Sequence, residues 1–244
     1  MINNALYEKY HENIKPQKRV ITESDFTYKN TLSCIMKYIP SKGNVLDIGS
    51  ATGTIAFFFA NKGLKVDGIE LSKNAVKFAN LNNKKFGFKK VKFYNTSVES
   101  FKSNKKYNLI TCLEVLEHVE DDLKMLQKIS KYMNKNSVLV ISVPSINAPL
   151  YRLGLLSKFD REVGHLRRYS PSNIASLMKK TNIKIVKLYF TEGMLRSLLY
   201  TSPFLSKLLR LTRINLINYF ISFIDKFFLY LFSESQIILI GKIK

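Results

Sequence analysis

The chain has 244 residues and a formal net charge of +21, from 39 basic and 18 acidic side chains. Its residues are 46% hydrophobic and 12% aromatic, which supplies a core and excludes an intrinsically disordered chain. The two cysteines, Cys34 and Cys112, are too few for a disulfide framework or a cysteine-based zinc site. Reduced, buried thiols favour a cytoplasmic location.

The positive charge is denser towards the C-terminus. Residues 1–149 contain 23 basic and 13 acidic side chains, whereas the shorter stretch 150–244 contains 16 and 5. Charge of this size is typical of proteins that bind nucleic acid. Because most lysines lie singly or in pairs between apolar runs, we interpret the charge as a basic surface and treat nucleic acid as an unlikely partner.

Short β-rich runs alternate with helical patterns along most of the chain. Strands are predicted at 45–49, 65–70, 91–96, 107–114, 137–144, 183–190 and 236–243. This alternation predicts an α/β fold with a Rossmann-like, doubly wound, mostly parallel sheet of seven strands.

Residues 192–233 interrupt the alternation before the last strand. Apolar side chains recur there at helical spacing, namely Ile217, Phe220, Ile221, Ile224, Phe228 and Leu231. Polar side chains fall largely on the other side, namely Asn215, Asn218, Ser222, Asp225 and Lys226. The segment therefore predicts an insertion of one or two amphipathic helices, with too many charges for a membrane-spanning helix. It could pack on its own domain, cover an active site, form a dimer face or contact a membrane peripherally.

A glycine turn follows the first predicted strand. Gly49 and Gly53 let the backbone turn sharply and approach a ligand, and the helix that follows offers free N–H groups. Glu70 ends the next strand, where a carboxylate can bind both hydroxyls of a ribose. Asp47 would repel a pyrophosphate but suits a cationic amino group or a sulfonium. The pattern predicts S-adenosyl-L-methionine as cofactor rather than NAD.

From about residue 40 to its end, the chain resembles the class I S-adenosylmethionine-dependent methyltransferases. The stretch VLDIGSATG (45–53) is similar to their motif I, GIELS (68–72) to their acidic-loop motif and QIILIGKI (236–243) to their last strand. The resemblance implies an antiparallel last strand and methyl transfer as the activity. We interpret 1–244 as one domain, with an N-terminal helical cover (1–40), a cofactor-binding core (41–191), the insertion (192–233) and a final strand (234–244).

The resemblance also implies which residues hold the cofactor. Those around the methionine portion would be Asp47, Gly49, Gly53, Leu113 and Glu114, and Ser50 would also contact the cofactor. Glu70 would bind the ribose, and Leu71 would pack on the adenine. The family often places an aspartate near the adenine amino group after the third strand. Here Asn95, Ser97 or Glu99 must serve, and Ser97 with Val98 gives the best alignment.

The fourth strand ends in TCLEVLEH, which is similar to a stretch in the quinone-biosynthesis O-methyltransferases. Glu114, Glu117 and His118 are spaced to share one face of a helical turn. That face could hold a divalent metal that polarises a catechol-like acceptor. Alternatively, His118 could be a general base, or Glu117 and His118 could cap the next helix. We name His118 as a candidate catalytic residue and assign no metal site.

A second candidate stretch is VGHLRRYS, which is similar to a motif of many small-molecule methyltransferases. It follows the fifth strand, so it should overhang the carboxyl ends of the sheet. We predict that His165 is a second candidate base and that Arg167, Arg168 and Tyr169 bind the substrate. The alternative is an arginine pair bound to nearby acids such as Asp160 and Glu162.

The leading hypothesis is methylation of a small-molecule acceptor, acidic or apolar, at a hydroxyl group. One alternative is a lipid-linked or membrane-associated substrate. Another is nucleic acid, although Leu113-Glu114-Val115-Leu116 replaces the N/D-P-P-Y/F motif of amino-methylating enzymes. A hypothesis of a different class is a cofactor-binding, membrane-peripheral protein without turnover.

Overall fold

The structure is a computed structural model that describes Glu8, residues 16–202 and residues 204–244. Its strands are β1 (Asn44–Ile48), β2 (Lys65–Glu70), β3 (Val91–Asn95), β4 (Leu109–Leu113), β5 (Val138–Pro144), β6 (Ile183–Thr191) and β7 (Gln236–Ile243). All seven coincide with the predicted runs.

Helices lie between the strands and in the segment before β7. They are α1 (Phe26–Ile35), α2 (Thr54–Asn61), α3 (Lys73–Phe86), α4 (Asp122–Ser130), α5 (Pro149–Arg152), α6 (Ser157–Val163), α7 (Pro171–Lys179), α8 (Met194–Thr201) and α9 (Asn215–Phe232). Short 3₁₀ turns occur at Met36–Tyr38, Leu116–His118 and Leu205–Arg213. The predicted division of the chain into four segments remains a prediction, and residues 1–7 and 9–15 of the N-terminal cover lie outside the described part.

The strands form one sheet in the order β3-β2-β1-β4-β5-β7-β6. Strand β7 runs antiparallel to both of its neighbours, and the other pairs are parallel. This confirms the predicted Rossmann-like fold with its antiparallel last strand. The strand order reverses between β1 and β4, and ligands of such sheets bind at the carboxyl ends beside that reversal.

Both faces of the inner strands are buried, as their near-continuous apolar sequences require. Successive strand residues point to opposite faces, so Val45 and Leu46 belong to different apolar clusters. The Leu46 cluster includes side chains of α4 and α7, and the Val45 cluster includes side chains of α1 and α2. This burial fixes β1 and β4, whose ends carry the candidate site.

The insertion before β7 is helical, as predicted, but α9 packs the opposite way from an ordinary amphipathic helix. Such a helix normally buries its apolar stripe. In α9 the buried side chains are the polar Asn218, Ser222 and Asp225. They meet polar groups of the domain: Asp225 accepts the backbone N–H of Gly193 at 2.9 Å, and Asn218 donates to the carbonyl of Ser24 at 2.8 Å.

Other apolar side chains of α9 consequently face outward. Of the predicted apolar stripe, Phe220 and Leu231 are 62% and 51% exposed. The remaining stripe residues are half-buried, namely Ile217, Ile221, Ile224 and Phe228. None of the helices in the described part of the chain is long and apolar enough to cross a membrane.

Candidate active site

A cavity of about 530 Å³ opens at the carboxyl ends of β1, β4 and β5. We call it the main cavity. A slot of about 40 Å³ lies next to it and is lined partly by the same residues, Gly49 and Glu70. We call this second space the side slot. Their position matches the crevice expected from the strand order.

The glycine turn joins β1 to α2 and contains left-handed backbone conformations that few residue types adopt. Gly49, Ala51 and Gly53 have φ values of +69°, +43° and +88°. A Cβ atom on Gly49 would overlap Val115, and one on Gly53 would lie 2.6 Å from the ring of Phe93. The two glycines are therefore needed both for the left-handed conformation and for the close packing. Gly49 lines the main cavity, and Gly53 is the N-cap of α2.

Glu70 ends β2 and lies between the main cavity and the side slot. Its carboxylate accepts the backbone N–H groups of Ala51 at 3.0 Å and Ser72 at 2.9 Å. These bonds hold the carboxylate in place without using all of its acceptor positions. Glu70 is therefore oriented to accept further hydrogen bonds from a diol.

Asp47 is a buried carboxyl group on the wall of the main cavity. Its Oδ1 accepts a hydrogen bond from Thr111 at 2.7 Å, but its Oδ2 has no hydrogen-bond partner among the described residues. Burial, reinforced by the nearby charge of Glu70, raises the pKa of Asp47 to about 7. A cationic amino group would satisfy this oxygen, so the residue fits the amino acid end of S-adenosylmethionine.

The side slot contains the three residues predicted to surround an adenine: Leu71, Ser97 and Val98. Glu99 also lines it, whereas the amide of Asn95 donates to the carbonyls of Glu70 and Leu71. Sequence reasoning missed other residues of its wall, namely Thr96, Val115, Val119 and Met125. The mostly apolar wall suits a flat base.

Leu113 and Glu114 line the main cavity at the end of β4, as predicted. Glu114 adopts a φ of +54°, an uncommon conformation for a residue other than glycine. Its carboxylate accepts hydrogen bonds from Ser142 at 2.7 Å and Gln236 at 3.0 Å. The predicted helical face of Glu114 with Glu117 and His118 is wrong, because the helical turn begins at Leu116, after this left-handed residue.

The two predicted bases are neighbours in the main cavity. The rings of His118 and His165 lie 4.9 Å apart, and their Nε2 atoms lie 3.9 and 3.8 Å from the same oxygen of Glu117. The Nδ1 atom of His118 contacts the carbonyl of Gly164 at 3.0 Å, and that of His165 contacts Asp160 at 2.9 Å. In both rings it is therefore Nε2 that is turned towards Glu117.

Glu117, His118 and His165 could together hold a metal ion. One ligand atom from each lies within 4.8 Å of the others, and both oxygens of Glu117 have no hydrogen-bond partner in the described part. Burial raises the pKa of Glu117 well above its ordinary value, and the nearby charge of Glu114 adds to the effect. Burial also lowers the pKa of His118 to about 4, so its ring is neutral at pH 7.

Asp160, on α6, connects His165 to an arginine. Arg168 donates to both carboxylate oxygens of Asp160, at 2.8 and 2.6 Å. Burial alone would raise the pKa of Asp160, but the hydrogen bonds from His165 and Arg168 outweigh burial and hold it at about 2. Asp160 is therefore a carboxylate at neutral pH.

The predicted substrate residues Arg167, Arg168 and Tyr169 line a separate surface pocket rather than the main cavity. Arg167 pairs with Asp122 at 3.0 Å, and the hydroxyl of Tyr169 donates to the same carboxylate at 2.8 Å. The alternative of arginines bound to nearby acids thus holds for Arg168 with Asp160, and Arg167 uses Asp122 on α4. These residues fix the loop that carries His165, and the geometry gives no support to direct contact with a substrate.

Sequence reasoning missed several residues of the main cavity that come from distant elements, namely Thr27, Tyr28, Thr31, Ser142, Phe159, Val163, Glu192, Tyr200 and Gln236. Glu192 follows β6 with a φ of +61°, and burial raises its pKa to about 7. Tyr200 lies on α8, so the insertion contributes directly to the cavity wall. No motif marks these positions in the sequence.

The strand order, the glycine turn and the acid that ends β2 define a class I S-adenosylmethionine-dependent methyltransferase. The family model described as "Methyltransferase domain" matches residues 26–188, and the chain belongs to that family.

Curated relatives are similar over part of their length. A ubiquinone biosynthesis O-methyltransferase of Rickettsia canadensis (strain McKiel) is 28% identical over 155 residues, which cover 61% of this chain and 65% of the relative. The enzyme of the same name from Paracidovorax citrulli is 28% identical over 161 residues, which cover 62% and 66%. The matched segment spans less than two thirds of either relative.

Solved structures show the same fold at low sequence identity. Magnesium protoporphyrin IX methyltransferase from Synechocystis PCC 6803, solved with S-adenosylhomocysteine, has a TM-score of 0.63 at 13% identity and covers 100% of this chain and 96% of its own. The N-methyltransferase NodS from Bradyrhizobium japonicum WM9 has a TM-score of 0.63 at 14% identity, with 99% and 98% covered.

Proposed function

We propose that the chain methylates a hydroxyl group of a small, uncharged acceptor and that His165 is the general base. The observation that carries the proposal is the pairing of His165, on the wall of the main cavity, with the carboxylate of Asp160. S-adenosylmethionine, when bound, supplies an electrophilic methyl group, so the protein has to orient the reactants and accept a proton.

The cofactor is held, in this proposal, across the main cavity and the side slot. Asp47 binds the amino group, and Glu70 binds the ribose hydroxyls. Leu71, Ser97 and Val98 enclose the base. Gly49, Ser50, Leu113 and Glu114 line the methionine end. The orphaned oxygen of Asp47 and the fixed carboxylate of Glu70 support this arrangement.

His165 is a better base than His118 for an electrostatic reason. A ring that accepts a proton at Nε2 becomes cationic, and Asp160 stabilises that cation through Nδ1. The Nδ1 atom of His118 contacts the backbone carbonyl of Gly164, which carries no full negative charge, and burial lowers the pKa of His118 to about 4. A base so weak takes a proton from a hydroxyl inefficiently.

The acceptor is inferred from the rest of the cavity wall. Phe159, Val163 and Tyr200 give it apolar and aromatic surface, and apart from tyrosines its ionisable residues are acids and histidines. Because Arg167 and Arg168 line a separate surface pocket, they give no reason to expect an acidic group on the acceptor. An apolar acceptor with a hydroxyl group fits better.

A methyl-transfer assay tests this proposal. The full chain is incubated with S-adenosylmethionine and a panel of phenols, catechols, carboxylic acids and amines, and S-adenosylhomocysteine is quantified. Turnover with hydroxyl acceptors is expected, together with its loss in His165→Gln. Turnover restricted to amines would contradict the proposal, because a neutral amine needs no base.

A divalent cation at Glu117, His118 and His165 is the second candidate for activating the acceptor. Histidines that bind a metal through one ring nitrogen usually contact a carbonyl or carboxylate oxygen through the other. The Nδ1 atoms of both His118 and His165 make such a contact, which favours a metal. Titration of the protein with Zn²⁺ or Mn²⁺ alone, followed by calorimetry, tests it. Binding that disappears in Glu117→Gln supports a metal, and turnover unaffected by chelation supports the base.

A further inference from the structure

The outward side of α9 is a large apolar surface. Six of its side chains are between 56% and 87% exposed, namely Leu216, Tyr219, Phe220, Phe223, Phe227 and Tyr230. Phe204 and Ile214, in the segment before α9, are 76% and 54% exposed. We call these eight residues the aromatic surface. A helix of 18 residues is about 27 Å long, so the surface is far larger than scattered exposed apolar residues produce.

The packing of α9 holds this surface outward. Asp225 accepts the backbone N–H groups of Gly193 and Arg196, at 2.9 and 2.8 Å, and Asn218 donates to Ser24 at 2.8 Å. Rotation of the helix to bury its aromatic side would leave the partners of Asp225 and Asn218 on the domain facing apolar side chains without a hydrogen bond, which is costly. The outward orientation is therefore the stable one.

The exposed charges of the segment that carries the aromatic surface have one sign. Lys207, Arg210, Arg213 and Lys226 are exposed, and in the described residues 204–232 the one acidic side chain is the buried Asp225. A second copy of the chain docked on this face would bring like charges together. An anionic lipid surface attracts each of them and accepts the aromatic side chains.

We propose that the aromatic surface docks on an anionic lipid bilayer, with α9 lying in the plane of the interface. Tyr219 and Tyr230 suit the boundary between lipid and water, where tyrosine side chains are enriched. The proposal does not depend on the identity of the methyl acceptor. It places a bilayer beside α8, which packs on α9 and carries Tyr200 in the wall of the main cavity.

Vesicle flotation tests the proposal with the full chain. The vesicles contain phosphatidylcholine alone or phosphatidylcholine with phosphatidylglycerol, at low and high salt. We expect flotation with the anionic vesicles that weakens at high salt. Replacing three basic residues, in K207Q/R210Q/R213Q, should weaken binding by on the order of a hundredfold, since each is worth about fivefold.

The double variant F223S/F227S should weaken vesicle binding by at least about tenfold while leaving affinity for S-adenosylhomocysteine unchanged. The matched controls are Leu81→Ser for the aromatic change and K77Q/K84Q/K124Q for the charges, all at exposed positions elsewhere. Both controls should bind like the original chain.

Two outcomes would overturn the proposal. One is no difference between neutral and anionic vesicles, or no effect of F223S/F227S on either. The other is a dimer in sedimentation velocity that F223S/F227S dissociates, because the surface would then be covered by a second copy.

Discussion

The Nδ1 atom of His165 lies 2.9 Å from Oδ1 of Asp160, and the same carboxylate accepts two hydrogen bonds from Arg168. Because the pKa of Asp160 is held at about 2, its partner nitrogen on His165 carries the proton at neutral pH. In the neutral form of the ring, the lone pair is then on Nε2, on the side of Glu117. This pairing is the reason why we propose His165 rather than His118 as the base.

Replacement of His165 by Gln should lower kcat by about 10²- to 10⁴-fold, the range that a general base contributes. Affinity for S-adenosylhomocysteine should remain close to that of the original chain. His118→Gln is the matched comparison and should cost much less, since its low pKa makes it a poor base. Equal losses from both substitutions would argue instead for a shared metal.

Replacement of Asp160 by Asn should lower kcat by on the order of a hundredfold while changing KM little, because the imidazolium loses its stabilising charge. It should also destabilise the fold by about 3 kcal/mol, since Arg168 is left buried without its partner. Urea denaturation measures the second effect. Glu162→Gln, at an exposed acid of the same helix, should change neither.

Affinity for S-adenosylhomocysteine should rise with pH and level off above about 7. Asp47 has a raised pKa, so the free protein carries it protonated below that pH, and it must ionise to pair with an ammonium group. Binding then releases a proton, and affinity changes by up to about tenfold per pH unit below the pKa. Calorimetry from about pH 5 to about pH 8 measures the slope.

The pH slope should be lost in Asp47→Asn, which also binds more weakly. Glu162→Gln serves again as the control and should keep the slope. A slope that survives in Asp47→Asn would assign the released proton to another group, such as Glu192.

Replacement of Asp225 by Ala should lower the free energy of unfolding by about 3–5 kcal/mol. Asp225 and Arg196 are both buried, and their charged groups lie 3.5 Å apart, so the arginine would lose its counter-charge. The substitution also removes the acceptor of two N–H groups at the start of α8. Lys226→Ala, at the exposed neighbour, should change stability by less than about 0.5 kcal/mol.

The strands and the glycine turn could be predicted because their signals are local. Short apolar runs define β1 and β7, and only glycine readily adopts the conformation at Gly49 and Gly53. The spacing of Glu70 from the glycine turn likewise predicts its role as the acid that ends the second strand. Each of these signals depends on neighbours in the chain.

Other features depend on contacts that no local pattern records. The partner of Arg167 is Asp122, which lies more than 40 residues earlier in the chain, and Gln236 contacts Glu114 from 122 residues away. The helical period of α9 predicts a polar side and an apolar side but does not show which of them packs on the domain. Asp225 turns the polar side inward through its hydrogen bonds at the start of α8.

In α9, one set of residues attaches the helix to the domain and a different set forms its outward apolar surface. In most surface helices the apolar residues make the attachment. Asn218 and Asp225 make the hydrogen bonds that attach α9 to the rest of the chain, and Ser222 donates to Asn218 within the helix. The outward aromatic residues contribute little to this attachment, so their replacement should lower the stability of the fold only slightly. Substitutions on this surface can therefore alter what it contacts without breaking the hydrogen bonds that hold α9 on the domain.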